Sequence, residues 1–295
     1  MEPEKRHFLG LSRSGFHRVA YREWGARDAP RTAVCVHGLT RNGRDFDALA
    51  AALAGAGWRV ICPDMVGRGD SDWLGNAADY GYPQYLQDVT ALLARLDVTE
   101  VDWIGTSMGG LIGMMLAASN GHPVRRMVIN DVGPLIPKAA LERIAEYVGQ
   151  SWSFGSLAEA EGHVRRTYGE FGDLTDAQWR KLTEDSLRPG PDGGYLSNYD
   201  PQIGAAFVGQ PLEDVDLWPV WDRLSCPVLL LRGLRSELLM AGTAREMMRR
   251  GPPTELVEIP AAGHAPALLS AFEIETVRDW LTGGTADLQA VPARS

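Results

Sequence analysis

Short apolar segments recur along the chain and alternate with stretches of helical periodicity. Six segments are rich in aliphatic or β-branched residues and end at turn signals, at residues 31–36, 58–62, 101–104, 127–130, 228–232 and 255–259. Apolar positions at helical spacing follow at residues 45–56, 82–96, 109–119, 243–250 and 265–281. Continuous apolar strands joined by helices are typical of a mostly parallel sheet covered on both faces. The pattern therefore predicts an α/β fold.

Two stretches depart from this alternation. Residues 8–11 and 17–23 alternate between apolar and polar positions, which predicts edge strands paired as an antiparallel hairpin. Between residues 131 and 227 the strands stop, and the chain becomes helix-like and rich in aromatic residues. A large insertion in a parallel-sheet protein is expected above the carboxyl ends of the strands, where ligand crevices form.

These departures predict a domain organisation. We expect residues 1–135 to form the first part of a core domain and residues 218–282 to form its second part. Residues 136–217 are expected to form a helical lid between them, and residues 283–295, which are small and polar, a disordered tail.

A serine flanked by glycines follows the segment at residues 101–104. The spacing Gly105-x-Ser107-x-Gly109 allows a strand to turn sharply into a helix with a hydroxyl at the tip. Such an elbow holds its central residue in a strained backbone conformation, and only small neighbours fit beside it. The apolar runs on both sides predict the required strand and helix, so we interpret Ser107 as a nucleophile rather than part of an incidental glycine-rich turn.

One histidine is placed to serve as the base that a serine nucleophile requires. A serine hydroxyl loses its proton as it attacks, so a base must lie within hydrogen-bond reach. Among six histidines, His264 alone follows a predicted strand through a loop at the same edge of the sheet as Ser107. We therefore predict His264 as the general base.

A second glycine turn offers the donors of an oxyanion hole. His37 and Gly38 directly follow the strand at residues 31–36, and a turn there can aim the backbone amide of Leu39 at a substrate carbonyl. The amide of Met108, directly after the nucleophile, would be the second donor. His37 is then expected to form the turn and not to act as a base.

From the residues alone, two acids are candidates for orienting the histidine. An acid must hold the imidazole in the correct tautomer and stabilise its positive form. Asp131 ends the strand at residues 127–130, and Glu237 follows the strand at residues 228–232. Asp64 ends another strand, and we expect it to organise its loop.

Taken together and in this order, the motifs resemble the α/β-hydrolase superfamily. They are His37-Gly38, Asp64-Met-Val-Gly-Arg-Gly-Asp-Ser71, Gly105-Thr-Ser-Met-Gly109 and Gly263-His264, and the resemblance covers nearly everything between residues 34 and 281. It implies an eight-stranded, mostly parallel sheet with helices on both faces and a helical cap inserted after strand 6. It also implies the chain order nucleophile, acid, histidine.

The resemblance bears on the choice of acid. In the commonest family pattern an aspartate lies three residues after the glycine that closes strand 7, and here that position is Ser236. A subgroup of small bacterial esterases that resembles this chain has a serine there and an acid at the end of strand 6. We therefore favour Asp131 as the acid, with Ser236 as an auxiliary hydrogen-bonding partner of His264 and Glu237 as the alternative acid.

The predicted reaction is hydrolysis of carboxylic esters of small to medium acids through an acyl-enzyme. Gly38 and Arg41 beside the oxyanion turn, and Trp152 in the aromatic-rich insertion, are candidate substrate-binding residues. The same residues are compatible with carbon–carbon cleavage of ring-fission products, and with a lactonase or a thioesterase. A different class, a non-catalytic ligand receptor that retains the triad, also stays open.

Composition and local sequence patterns limit the classes of partner and the cellular compartment that we expect. The net charge of −9 over 295 residues argues against a nucleic-acid or anionic-lipid surface. The charged amino terminus lacks a signal-peptide pattern, and no apolar run approaches the roughly 18 residues of a membrane span. Three cysteines without CxxC spacing argue against a disulfide framework or a zinc site. We expect a cytoplasmic monomer or homodimer that acts on a small-molecule ester without a metal or other cofactor.

Overall fold

An eight-stranded sheet forms the centre of the computed structural model, which describes residues 2–209 and 211–283. Numbered within this sheet, its strands are β1 (Glu4–Ser12), β2 (Gly15–Trp24), β3 (Arg31–Val36), β4 (Trp58–Pro63), β5 (Val101–Thr106), β6 (Val124–Asn130), β7 (Val228–Gly233) and β8 (Thr254–Ile259). They lie side by side in the order β1-β2-β4-β3-β5-β6-β7-β8. β1 pairs antiparallel with β2 and β2 with β4, whereas β4, β3, β5, β6, β7 and β8 are joined in parallel. The predicted fold class and the antiparallel edge hairpin are confirmed.

Nine helices accompany the sheet in the part of the chain that the structure describes. They are α1 (Asp47–Gly55), α2 (Tyr82–Leu96), α3 (Met108–Ala117), α4 (Lys138–Ala145), α5 (Leu157–Thr167), α6 (Asp176–Asp185), α7 (Trp218–Trp221), α8 (Ala241–Met247) and α9 (Ala271–Thr282). Among these described helices, none combines the length and the hydropathy that crossing a membrane requires.

Both faces of the sheet are buried under helices. Along β3, Val34 packs with the apolar side chains of α2 and α3, whereas its neighbour Cys35 packs with those of α1 and α9. Successive side chains of a strand point to opposite faces, so this alternation places one core on each side of the sheet. It explains why the strands read as continuous apolar runs.

The chain between β6 and β7, residues 131–227, forms an insertion of α4 to α7 and a small antiparallel sheet. The sheet joins Ser153–Phe154, Tyr195–Ser197 and Leu187–Pro189, and the sequence pattern did not predict it. Strands of two or three residues are too short to show a periodicity. Their hairpin closes where Gly190 N donates to the Gly194 carbonyl at 2.8 Å, within the Pro- and Gly-rich segment of the insertion.

Two predicted helices differ most from the structure in their boundaries. The last helix begins at Ala271 and not at residue 265, because Ser270 and Glu273 form a capping box and Leu268 has a left-handed backbone with φ of 57°. The predicted helix at residues 243–250 runs instead over Ala241–Met247. Residues 265–270 are therefore a loop that follows His264. The tail expected at residues 283–295 lies outside the described residues from residue 284 onward.

Candidate active site

Ser107 stands at the turn between β5 and α3. Its backbone has φ of 51° and ψ of −112°, a conformation that costs free energy in a residue other than glycine. The flanking glycines are sterically required: a Cβ on Gly105 would overlap the Gly109 carbonyl, and a Cβ on Gly109 would overlap the Val36 carbonyl. The elbow therefore follows directly from the glycine spacing.

A hydrogen-bonded chain of three side chains begins at this serine. His264 Nε2 lies 3.0 Å from Ser107 Oγ, and His264 Nδ1 lies 2.8 Å from Asp131 Oδ2. With Nδ1 donating to the buried carboxylate of Asp131, Nε2 is left to accept the proton of the serine hydroxyl. The geometry suits proton transfer from Ser107 to His264.

The loop that carries His264 is held by contacts from two sides. Asn130 Nδ2, at the end of β6, donates to the Pro266 carbonyl at 2.8 Å. From the insertion, the Glu170 carbonyl accepts from Gly263 N at 2.7 Å and the Phe171 carbonyl from Ala267 N at 3.0 Å. The position of His264 thus depends on both the core and the insertion.

Asp131 is fully buried and is held by two further hydrogen bonds. Its Oδ1 accepts from Gly233 N at 2.8 Å, and its Oδ2 accepts from Ser236 Oγ at 2.6 Å. The expectation that Ser236 bonds to His264 was wrong in this respect, since the hydroxyl bonds to the acid. Ser236 Oγ also accepts from the amide of Leu239 at 3.1 Å, which leaves its proton for Asp131.

Glu237, the alternative acid, lies away from the histidine. Its side chain is 65% exposed and forms an ion pair with Arg143 of α4. Ser236 is buried where the chain leaves β7, and the next residue faces outward. The structure therefore brings Asp131 to His264 and does not bring Glu237 there.

The two candidate oxyanion donors belong to the turn after β3 and to the start of α3, and both of these segments adjoin Ser107. A Cβ on Gly38 would stand 3.8 Å from Ser107 Cβ, so the turn that leads to Leu39 touches the nucleophile. Met108 begins α3, and the first amides of a helix have no acceptor within the helix. Both positions suit the predicted role, which stays a prediction.

His37 is buried beneath this turn and is fully hydrogen-bonded. Its Nδ1 donates to the Gly38 carbonyl at 2.7 Å, and its Nε2 accepts from Met65 N at 2.9 Å. Burial lowers the pKa of His37 to about 3, and the charges of Arg68 and Arg41 act in the same direction. His37 is therefore neutral at neutral pH and organises the turn.

Asp64 organises the neighbouring loop. Its two carboxylate oxygens accept from Gly43 N at 2.7 Å and from Asp70 N at 2.9 Å, and Arg22 pairs with it. Burial raises the pKa of Asp64, while the charge of Arg22 and the amide bonds oppose that shift. This aspartate holds loops together and does not reach the triad.

A cavity of about 490 Å³ opens above Ser107 and His264. The core contributes Gly38, Leu39 and Thr40 to its wall, and the insertion contributes Trp152 and several residues of α4 and α5. The predicted contacts Gly38 and Trp152 therefore do line the cavity. Sequence reasoning missed the contribution of α5, whose residues His163, Arg166 and Thr167 all line the cavity. Their i, i+3, i+4 spacing was the available signal.

Arg41 lines the same cavity but is engaged elsewhere. Its guanidinium donates to Asp45 at 2.7 and 2.9 Å and to Ser186 of the insertion at 2.6 Å, and it stacks over the Tyr168 ring at 4.8 Å. Burial opposes its charge, but the charge and hydrogen bonds of Asp45 raise the pKa of Arg41. These contacts fasten the insertion to the core, and a contact of Arg41 with substrate stays a prediction.

Metal-ligating side chains and cysteines were also considered in the part of the chain that the structure describes. Within residues 2–209 and 211–283, no group of three or more His, Cys, Asp or Glu side chains is arranged to hold a metal ion. Cys35, Cys62 and Cys226 are free and buried.

The sheet order and the serine at the elbow are typical of one class of protein, and comparison of the chain with known proteins gives the same class. The chain belongs to the α/β-hydrolase fold family, whose model matches residues 33–271. It is 44% identical over 281 residues to the 3-hydroxybutyrate-oligomer hydrolase of Cupriavidus necator, covering 92% of this chain and 96% of that protein. It is 27% identical over 233 residues to the 2-(acetamidomethylene)succinate hydrolase of Mesorhizobium japonicum, covering 77% and 79%.

Solved structures give the same result. The crystal structure of an α/β hydrolase from Novosphingobium aromaticivorans matches with a TM-score of 0.85 at 40% sequence identity, covering 95% of this chain and 98% of that one. The protein is therefore a hydrolase of the α/β-hydrolase family.

Proposed function

We propose that this hydrolase is a serine esterase that cleaves oligomers of 3-hydroxybutyrate and similar short 3-hydroxyacyl esters. The observation that carries the proposal is the hydrogen-bonded chain from Ser107 and His264, which line the cavity, to the buried Asp131. The substrate class rests on the similarity to the Cupriavidus necator enzyme over nearly the whole of both chains.

The first half of the proposed reaction acylates the serine. Ser107 Oγ attacks the ester carbonyl while its proton passes to His264 Nε2, 3.0 Å away. The carboxylate of Asp131 stabilises the imidazolium that forms. The amides of Leu39 and Met108 hold the oxyanion, and His264 then gives its proton to the leaving alkoxide.

The second half frees the enzyme. Water enters the site, and His264 accepts one of its protons as the hydroxide adds to the acyl carbonyl. The tetrahedral intermediate expels Ser107, which regains its proton from His264. The products are one hydroxy acid and a shortened oligomer, and no oxidant, reductant or cofactor is consumed.

The cavity suits a short, polar ester. Its volume of about 490 Å³ lies within the usual range for small-molecule sites, roughly 300–1,000 Å³. Aromatic side chains from the insertion, Tyr147 and Trp152, lie in the wall beside polar groups such as Thr40 and His163. This mixture can take up the methyl groups of a hydroxybutyrate chain and also its hydroxyl and ester oxygens.

The decisive experiment uses the linear dimer of 3-hydroxybutyrate. Acid release from the dimer is followed in a pH-stat, with Ser107→Ala as the control and p-nitrophenyl butyrate and palmitate as comparison substrates. We expect cleavage of the dimer and of the butyrate ester, little cleavage of the palmitate, and no turnover in the variant.

Each part of the proposal can fail separately. Turnover of the butyrate ester without turnover of the dimer would overturn the substrate class but keep the serine esterase. A wild-type protein that neither turns over an ester nor reacts with a fluorophosphonate would contradict the esterase itself. Tight ligand binding without turnover would favour the receptor instead.

A further inference from the structure

A buried arginine lies beneath the candidate oxyanion hole. Arg68, in the loop after β4, has no exposed surface. Its Nε donates to the Leu39 carbonyl at 2.8 Å, and its Nη2 lies 3.5 Å from Met108 Sδ. The guanidinium thus touches both residues whose amides face the oxyanion in the proposed function. Its Nη1 donates to the Val66 carbonyl at 2.7 Å and to the Tyr85 hydroxyl at 3.0 Å.

The charge of Arg68 is not cancelled by direct contact with an acid. Among the residues that the structure describes, no carboxylate forms an ion pair with it, whereas the other buried arginines of the core, such as Arg22 and Arg59, each contact an acid. An indirect link to an acid runs through Tyr80, whose ring lies 6.0 Å from the guanidinium and whose hydroxyl donates to Asp200 at 2.6 Å. A cation that is buried and incompletely paired in this way is unusual.

We propose that Arg68 is a positioning residue of the oxyanion hole, acting through Leu39 and through its own uncancelled charge. This inference rests on the proposed function, because it needs a reaction in which an oxyanion develops beside Ser107.

Two physical effects support this role. The hydrogen bond to the Leu39 carbonyl restrains the backbone of that residue, and the direction of the Leu39 amide depends on that backbone. A preorganised donor stabilises a developing charge better than one that must reorient. The second effect is electrostatic: a positive charge in a water-free interior acts over a longer range than at the surface. Both effects favour the tetrahedral oxyanion over the neutral ester.

A role in folding alone is the competing explanation, because the same loop also contacts the insertion. Gly69 N donates to the Asn198 carbonyl at 3.0 Å, and Arg68 forms a backbone bridge with Tyr199. If Arg68 served only the fold, its substitution would lower the free energy of unfolding but would not change how much more tightly the enzyme binds the transition state than the ester. The experiment must therefore measure that difference in binding.

The test compares Arg68→Met and Arg68→Lys with Arg59→Met. Arg59 is also buried but pairs with Glu23 at the opposite end of β4, so it controls for the loss of a buried arginine. Three quantities are measured on the folded proteins, each at the same number of degrees below its own Tm. They are kcat and KM for p-nitrophenyl butyrate, and the inhibition constant of butylboronic acid. The boronic acid becomes a tetrahedral anion when Ser107 adds to it, and so mimics the charged intermediate.

We expect Arg68→Met to lower kcat about 100-fold, to leave KM within about threefold and to weaken boronic acid binding in parallel with kcat/KM. Arg68→Lys keeps a charge but not the planar fork of donors, so its kcat should fall between those of the wild type and the Met variant. Arg59→Met should lower Tm while all three catalytic quantities stay within about threefold of wild type.

The result that would overturn the inference is an Arg68→Met protein whose kcat and boronic acid affinity match those of Arg59→Met. If Arg68→Met does not fold, Arg68→Lys decides, and unchanged kcat and boronic acid affinity in that variant would overturn the inference. A wild-type protein without turnover or boronic acid binding would instead overturn the proposed function, and the role of Arg68 with it.

Discussion

Ser236 Oγ donates a hydrogen bond of 2.6 Å to Asp131 Oδ2, the same oxygen that accepts from His264 Nδ1. In the commonest family pattern, the position of Ser236 at the end of β7 holds the triad acid. Here the candidate acid, Asp131, comes from the end of β6, and Ser236 after β7 donates a hydrogen bond to it instead. The two strands are neighbours in the sheet, so an acid on either of them can reach one histidine.

The first prediction separates the two candidate acids. Asp131→Asn removes the charge that stabilises the imidazolium and permits the wrong tautomer, so kcat should fall by about 10⁴. Glu237→Gln changes an exposed group paired with Arg143, and its kcat should stay within about twofold of wild type. Steady-state hydrolysis of p-nitrophenyl butyrate measures both. A large loss in Glu237→Gln, with little in Asp131→Asn, would reverse the assignment.

The second prediction moves the acid from one strand to the other. Because Ser236 already contacts the acid that holds the histidine, Asp131→Asn combined with Ser236→Asp should recover at least about tenfold of the lost kcat. Ser236→Asp alone should reduce activity, since two adjacent carboxylates cannot both ionise easily. A double variant no more active than Asp131→Asn would mean that position 236 cannot reach the imidazole productively.

The third prediction tests the elbow through its glycines. A Cβ on Gly109 would overlap the Val36 carbonyl, which is backbone and cannot move aside cheaply. Gly109→Ala should therefore lower the free energy of unfolding by about 3 kcal/mol or prevent folding. Gly55→Ala is the matched control, because Gly55 ends α1 with nothing within 4 Å of an added Cβ. It should raise the free energy of unfolding by about 0.5 kcal/mol, as measured by urea denaturation. Equal effects of the two substitutions would contradict the steric argument.

The fourth prediction concerns stability in acid. Burial lowers the pKa of His37 to about 3, whereas in the unfolded chain its pKa is about 6.5. Between these values the unfolded chain binds a proton that the folded protein does not, so acid favours unfolding. This group alone should lower the free energy of unfolding by about 1.4 kcal/mol per pH unit as pH falls through that window.

His37→Gln is the variant that tests this. It removes the titrating group, so the difference between wild type and variant should shrink as pH falls from 6.5 toward 3. His17, whose pKa is raised by its hydrogen bond to Asp88 although burial opposes this, titrates in both proteins and cancels in the comparison. A difference independent of pH would show that His37 is protonated within the fold.

Local patterns were sufficient to predict most of the fold and to identify the residues that the structure brings together at the candidate site. The strands, the glycine elbow at Ser107 and the loop position of His264 depend on residues close together in sequence, so their spacing is informative. Choosing Asp131 over Glu237 needed the family resemblance as well, because both follow strands at one edge of the sheet. The structure agrees with that choice in geometry.

What escaped prediction depends on contacts between distant segments. The partner of Ser236 was misassigned because a hydroxyl near both an acid and a histidine has no sequence signal for either. The hydrogen bond from Arg41 to Ser186 was not predicted, because nothing in the sequence links two residues so far apart along the chain. The sequence places Arg68 in the motif at residues 64–71 but does not reveal that this loop arginine is wholly buried.

The last prediction concerns the attachment of the insertion. Arg41 joins Asp45 in the core to Ser186 and Tyr168 in the insertion, so Arg41→Met should release that side of the insertion from the core. The released segment should be cut faster by a protease. KM should rise more than kcat falls, because the cavity wall loosens while Asn130 of the core still holds the loop that carries His264. Ser186→Ala removes only the hydrogen bond between Arg41 and Ser186. It should raise the rate of proteolysis and KM, but by less than Arg41→Met does. Cleavage of Arg41→Met at the wild-type rate would mean that the insertion is held by its other contacts and that this arginine does not fasten it.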